Sequence, residues 1–337
     1  MLDTAAFQLP ELHFDHVEQC YRTDDANSTE ELIARMHVPL SATYQLTRFC
    51  NLKCVYCSEP PDGISTKLDV HLERVDRLTG MRRIIVAGGE PMVYKHFWPF
   101  MEYIRDKFEV VVLSTNAVMI GPDEAARLKD LVDYIDVTLD GPRRQHDAIR
   151  GNYPKVTRGL MSVALAQIPL SVICVYMPAE RNLLTKPRPG NRDVIHYICQ
   201  QADLLGAVKT KILTPIPKGR SEDIFEEFVA QQELDDLADF LAAEKERNGW
   251  RSRIIISDWM RIGKGHAWLI EPNGRVVASP VWGMEDCIHP FGSMADAAAA
   301  RPSDSFSYGL DAAGLWAAYP YRKEHLAKYL ERTLIVR

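Results

Sequence analysis

The sequence predicts an α/β protein: a partial (β/α)6 TIM-like barrel followed by a smaller α+β cap. Three observations predict it. Short, apolar, β-branched runs alternate with helical patterns, the order that gives a parallel sheet with right-handed crossovers. Six such strand–helix units follow one another, too few for a full eight-stranded barrel but enough for one open on one side. After Thr214 the alternation stops and a long helical stretch and a hairpin take over.

The predicted strands are ATYQLT (42–47), RIIVAG (83–88), VVVLST (110–115), YIDVTLD (134–140), LSVICVYM (170–177) and VKTKILT (208–214). Helical patterns fall between them at about 68–79, 94–107, 122–132, 154–166 and 190–205. The stretch from Ser221 to Asn248-Gly249 begins with an N-cap residue and acids in its first turn, and reads as one long helix or two short ones. AWLIEPNGRVVASP then reads as a hairpin, because Asn273-Gly274 is a strong turn signal between two apolar runs. The tail beyond about 309 is helical and carries Trp316, Tyr319, Tyr321 and Tyr329. The expected division is an N-terminal extension (1–40), a barrel domain (41–215) and a C-terminal cap (216–337).

Composition narrows the function. The 337 residues are 46% hydrophobic and 26% charged, as globular proteins are. A formal net charge of −6 argues against nucleic acid or an anionic membrane as partner. The N-terminus lacks a basic segment followed by an apolar core, and no apolar run approaches the roughly 18 residues of a membrane span. A cytoplasmic location is expected. Seven cysteines, three of them clustered, suit metal binding in a reducing compartment better than a disulfide framework.

The cluster is TRFCNLKCVYCSEPPDG (47–63), with Cys50, Cys54 and Cys57 on the loop that leaves the first strand. That rim carries the catalytic residues of barrel enzymes. A structural zinc site takes four protein ligands, and no fourth Cys or His follows at finger spacing. A four-iron cluster held by three thiolates keeps one iron open to an outside ligand.

This pattern resembles the radical S-adenosylmethionine (radical SAM) enzymes. The resemblance rests on the cysteine spacing, on Tyr56 before the third cysteine, and on Gly88-Gly89-Glu90-Pro91 after the second strand. It continues through Ser114-Thr115-Asn116, Thr138-Leu139-Asp140-Gly141, His146-Asp147 and Ile149-Arg150-Gly151, and covers about residues 41–215. It implies one [4Fe-4S] cluster on Cys50, Cys54 and Cys57, with S-adenosyl-L-methionine at the open iron. It implies cofactor contacts at Tyr56, Gly88, Gly89, Glu90, Pro91, Ser114, Asn116, Thr138, Asp140 and Met177. The GGEP segment would take the methionine amino group. Thr138 would serve the ribose or carboxylate together with Arg150 or Arg158, which the sequence does not separate. Gly88 and Gly89 also suit close backbone approach to a ligand. The implied chemistry is reductive cleavage of S-adenosylmethionine to a 5′-deoxyadenosyl radical that removes a hydrogen atom from the substrate, fed by a flavodoxin- or ferredoxin-type electron donor.

Relatives with this signature often carry a C-terminal domain with auxiliary clusters, of the SPASM or twitch type. IEPNGRVVASP looks like its hairpin, but Ser279 stands where a cysteine would, and only Cys287 remains beyond Thr214. The region therefore reads as a degenerate form without auxiliary iron. Cys287 is either a small buried hydrophobe, the favoured reading, or a hydrogen-atom donor that would make an epimerase. The expected substrate is a small polar metabolite of sugar or nucleoside type, undergoing decarboxylation (as of cytosylglucuronic acid), epimerisation or elimination, because only about forty residues precede the first strand. Two alternatives remain: a maturase of ribosomal peptides, and a non-enzymatic iron–sulfur or zinc-binding protein.

Overall fold

The computed structural model describes residues 7–23, 28–60, 62–177, 190–216, 219–221, 229–258, 268–277, 287–288, 312–319, 321–330 and 335–336. The chain divides into two compact units. The first is Met1–Cys50, Pro61–Leu113 and Gly263–Arg332; the second is Asn51–Pro60, Ser114–Ile262 and Thr333–Arg337. The architecture is mixed α/β with mostly parallel strands, consistent with a partial TIM-like barrel.

In the first unit, β3 (Ser41–Gln45), β4 (Arg83–Ala87) and β5 (Val110–Thr115) run parallel. β10 (Leu269–Ile270) joins parallel to β3, with Leu269 opposite Thr43, and turns back into β11 (Val276–Val277) and then β12 (Cys287–Ile288). The hairpin predicted around Asn273-Gly274 is therefore present, and it extends the barrel strands rather than standing apart from them. Helix α2 (Leu68–Asp76) and helix α3 (Phe97–Arg105) connect the parallel strands. Phe97, Phe100, Met101 and Ile104 give α3 one apolar face, spaced three or four apart as a helix requires. That face reaches the strands where Phe100 stacks on Tyr44 at 5.6 Å. The helix starts three residues later than predicted, and a separate 3-10 turn at Pro91–Val93 precedes it.

The residues before β3 are more structured than an extension. β1 (Leu12–Asp15) and β2 (Cys20–Thr23) pair antiparallel, and α1 (Thr29–Arg35) begins with a capping box of Ser28 and Glu31. Two C-terminal helices, α9 (Ala312–Ala318) and α10 (Arg322–Leu330), serve the same unit. The Trp316 indole donates to the Met36 carbonyl (3.2 Å), and the Leu40 amide donates to His325 Nε2 (3.2 Å).

In the second unit β6 (Tyr134–Thr138), β7 (Leu170–Val175), β8 (Lys209–Leu213) and β9 (Arg253–Ser257) lie in order and parallel. β13 (Ile335–Val336) adds antiparallel to β9. Strand β9 was not anticipated: Ile254, Ile255 and Ile256 are too short a run to stand out at the end of a long helix. Helices α4 (Pro122–Leu128), α5 (Arg143–Ile149), α6 (Tyr153–Leu165), α7 (Ile195–Leu204) and α8 (Gln231–Asn248) complete the unit. The expected start of α8 at Ser221 is not what forms. Gly219–Ser221 is a 3-10 turn, α8 begins at Gln231, and 222–228 lie outside the described residues. The predicted end holds, with Gly249 in the left-handed conformation (φ +64°) that closes a helix. Among the described residues no helix is long and apolar enough to cross a membrane.

Candidate functional site

The cysteine loop starts where β3 runs out. In the first unit the chain from Leu46 to Cys50 lies against the end of β4. The Gly89 amide donates to the Thr47 carbonyl (2.7 Å) and the Glu90 amide to the Phe49 carbonyl (2.8 Å). The two glycines permit this approach. A Cβ on Gly88 would sit 2.4 Å from the Thr47 oxygen, and one on Gly89 would sit 2.4 Å from the Phe49 oxygen. Gly88 also has φ +148°, which side chains avoid. What the glycines bring close is therefore the cysteine loop itself, a reason the sequence alone did not reveal. Glu90 is buried, and its carboxylate accepts the Met92 amide (3.1 Å), capping the turn that Pro91 begins. Cys50 is exposed beside Phe49, which is 58% exposed.

Cys54 and Cys57 belong to the second unit. The Cys57 amide donates to the Cys54 carbonyl (3.3 Å) and the Val55 amide to the Ile149 carbonyl (3.0 Å). From the turn after β8, the Arg220 amide donates to the Cys57 carbonyl (2.9 Å) and its guanidinium to the Cys54 carbonyl (3.4 Å). Gly219 makes room for that clasp, since a Cβ there would meet the Cys57 and Ser58 oxygens at 2.8 Å. Tyr56, between the two thiols, is buried and donates to Asp140 Oδ2 (2.5 Å), and Arg150 donates to the Tyr56 hydroxyl. Arg150 also lies 3.5 Å from Asp140. Asp140 Oδ1 accepts the Val175 amide (3.0 Å), so one fully buried carboxylate ties the cysteine loop, the end of β6 and the end of β7. Asn191 extends the same web. It accepts the Met177 amide at Oδ1 (2.8 Å) and donates to the Val175 carbonyl (2.8 Å). Asn116 donates to Asn51, on the loop after Cys50, at 2.7 Å.

Within the second unit the residues of the web arrive together by topology. Parallel strands put all their C-terminal ends at one rim, so Ser114, Thr138, Asp140 and Met177 each sit at or just past a strand end. Ser114 and Thr138 are half-buried there. The structure separates the two arginines: Arg150 is in the Tyr56–Asp140 web, and Arg158 stands exposed on α6. Asn51, Asn191, Gly219 and Arg220 were missed. They fall in segments without periodicity, and only Gly219-Arg220 carried a local turn signal. Cys287 lies opposite Val277 in β12, but its side chain, like Ser279, lies outside the described residues.

Burial sets the electrostatics. It pushes the Cys54 thiol above its ordinary range, with the nearby Arg150 charge opposing the shift. It drives the Tyr56 hydroxyl further up, so Tyr56 is a donor and never a phenolate at neutral pH. It lowers His146, which is neutral and takes the Asp140 amide on Nδ1 (3.2 Å).

Among the described residues no three His, Cys, Asp or Glu side chains are gathered as ligands of a single metal ion. The donor set itself fits an iron–sulfur centre. Cys50, Cys54 and Cys57 stand within eight positions, with Gly89 and Glu90 holding the backbone before Cys50 in the first unit and Ile149 and Arg220 holding that around Cys54 and Cys57 in the second. Because burial favours the protonated Cys54 thiol, loading such a centre must release that proton.

Residues 44–182 match the sequence profile of the Radical SAM superfamily. The mycofactocin maturase MftC of Mycobacterium ulcerans is 33% identical over 227 residues, which are 63% of this chain and 57% of that protein. The AdoMet-dependent heme synthase of Nitratidesulfovibrio vulgaris is 27% identical over 64% of this chain and 56% of its own. The chain thus spans little more than half the length of these relatives. In fold it resembles Streptococcus suis SuiB, solved bound to the precursor peptide SuiA, with a TM-score of 0.62 and 12% identity over 92% of this chain and 74% of that one.

Proposed function

We propose, for a chain whose residues 44–182 match the Radical SAM superfamily profile, that it is a radical SAM enzyme acting on a peptide. The family implies a [4Fe-4S] cluster and S-adenosylmethionine as cofactors. The single observation carrying the reading is the three-thiol loop braced by the GGEP segment, inside the matched span. Cys50, Cys54 and Cys57 would hold the cluster. When bound, the pair supplies one-electron cleavage of the sulfonium and a carbon radical that takes hydrogen from the substrate.

The chain's own residues position and exclude. Gly88 and Gly89 seat the loop, and Glu90 with Pro91 shape the turn beside it. Asp140 keeps Tyr56 and Arg150 in place, which ties the loop between Cys54 and Cys57 to the strand ends. Arg150, rather than Arg158, is the arginine we assign to the cofactor side. Thr138, Ser114, Asn116 and Met177 offer polar atoms or backbone at the same rim.

The substrate reading moves from the small sugar or nucleoside expected above to a peptide. It follows the maturase named among the relatives and the peptide bound to SuiB. Neither relative supports decarboxylation of a nucleoside sugar acid, nor a lyase or epimerase outcome. The heme synthase favours a second reading, in which the substrate is of cofactor size. A flavodoxin- or ferredoxin-type donor, a cytoplasmic location, and the absence of nucleic acid and membrane as partners remain part of the proposal.

The test is anaerobic reconstitution with iron and sulfide, then dithionite and S-adenosylmethionine, with 5′-deoxyadenosine read by mass spectrometry. We expect cleavage that rises when a candidate precursor peptide is added. Colourless, zinc-loaded protein that forms no 5′-deoxyadenosine would leave the non-enzymatic metal-binding reading in its place.

A further inference from the structure

We infer that Glu271, in the turn between β10 and β11, is a positioning residue for the first cysteine, acting through Arg48. Glu271 lies outside the span matched to the superfamily, and it is over two hundred residues from the loop it would govern. The inference rests on the radical SAM reading above, because only that reading gives Cys50 a ligand to hold.

The geometry is confined to the first unit. Arg48 stands two residues before Cys50, and its side chain is only 5% exposed. One nitrogen of its guanidinium meets Glu271 Oε2 at 2.8 Å, and the other pairs with Asp62. Glu271 is 1% exposed and is also gripped by Arg275, whose Nε and Nη2 donate to its two oxygens at 2.7 and 2.6 Å. One buried carboxylate therefore serves two buried cations. Such a group is hard to replace, because losing it takes a buried counter-charge from both arginines at once.

The turn that carries Glu271 is fixed in its own right. The Glu271 amide donates to the Arg275 carbonyl (2.8 Å) and Gly274 donates to the Glu271 carbonyl (2.8 Å). From outside, the buried Arg74 guanidinium and the Thr66 hydroxyl both donate to the Pro272 carbonyl, the former at 2.7 Å. Arg48 is held in the same way along its backbone, where its amide donates to the Ile64 carbonyl (2.7 Å). Backbone contacts to Ile64, Gly89 and Glu90 fix the height of the segment from Thr47 to Cys50. The ion pair bears on its rotation, because it joins a long side chain of that segment to a separate turn that is itself hydrogen-bonded in place. A rotation there re-aims the Cys50 side chain. The hairpin of the cap thus works as a strut for the cluster loop.

The experiment compares the full chain with Glu271→Gln and Asp62→Asn. Glu271→Gln keeps the shape and loses the charge, and Asp62→Asn removes the more exposed partner of Arg48. In metal-free protein, peptide mapping after iodoacetamide should show Cys50 alkylated several-fold faster in Glu271→Gln, with Cys57 unchanged. Hydrogen exchange should rise over 47–50. Asp62→Asn should move both less. In reconstituted protein, Glu271→Gln should load the same iron yet show an altered electron paramagnetic resonance spectrum on adding S-adenosylmethionine, and a slower release of 5′-deoxyadenosine. A lower melting temperature with Cys50 reactivity and spectrum unchanged would reduce Glu271 to a plain structural clamp and overturn the inference. Parent protein that takes up no iron would instead overturn the functional reading, and the alkylation rates would still decide whether Glu271 controls Cys50.

Discussion

At the residue scale, the site is specified by small spaces and buried charges. Gly89→Ala would force a methyl group to 2.4 Å from the Phe49 carbonyl oxygen. The expected cost is about 1–3 kcal/mol, as for other overpacked positions, read as a lower urea midpoint with an unchanged slope. Tyr56→Phe keeps the ring and removes the hydroxyl that Asp140 and Arg150 share. Two buried partners lose a bond, so about 1–3 kcal/mol of stability should go, and iron uptake should fall with it. By contrast Arg158→Ala, on an exposed helix face, should stay within about 0.5 kcal/mol of the parent and leave S-adenosylmethionine binding intact. The cysteines and GGEP were legible as sequence because their residue types are rare and their spacing tight. Asp140 was legible only as part of a motif. That it joins Tyr56 and the Val175 amide, as well as Arg150, depends on segments up to 84 positions away and had no local signal.

At the scale of elements, α2 carries a titration that can be tested without any cofactor. His71 is fully buried on α2, with Nδ1 meeting the Tyr44 hydroxyl (2.8 Å) and Nε2 the Leu46 carbonyl (3.1 Å). Nε2 must carry the proton, since a carbonyl only accepts, so the ring is neutral and Tyr44 donates to Nδ1. Burial, helped by Arg74, lowers its pKa from 6.5 to about 3. The folded state resists protonation that the unfolded state accepts. This contribution is therefore full above pH 6.5 and is lost as pH falls from there toward 3. Between those limits the slope should approach about 1.4 kcal/mol per pH unit, and His71→Gln should flatten it by nearly one proton in denaturant titrations at stepped pH. The same scale explains which elements could be read in advance. Strands β4 to β8 and helix α6 have long, clean periods and came out within a few residues. Strand β9 and the pairing of β10 with β3 did not, because short strands are fixed by the neighbour that satisfies their backbone rather than by their own pattern.

For the molecule as a whole, the prediction is one of coupled loading. Each of Cys50→Ser, Cys54→Ser and Cys57→Ser should abolish iron–sulfur absorbance and 5′-deoxyadenosine formation, measured after anaerobic reconstitution. Metal uptake by the parent should release protons, the buried Cys54 thiol being one source. A variant that keeps its colour after losing one of the three thiols would contradict the ligand set. By itself the sequence determined the alternation of strands and helices, the rim on which the thiols stand, and the class of chemistry they suit. These are written locally, in periodicity and in the spacing of a few residues. Only the tertiary structure decided which arginine enters the Tyr56–Asp140 web, why two glycines must have no side chain, and that the Glu271 turn grips the approach to Cys50. Those choices depend on which distant segments come to share one buried, water-poor space, where a charge must find its partner and a carbonyl leaves no room for a Cβ.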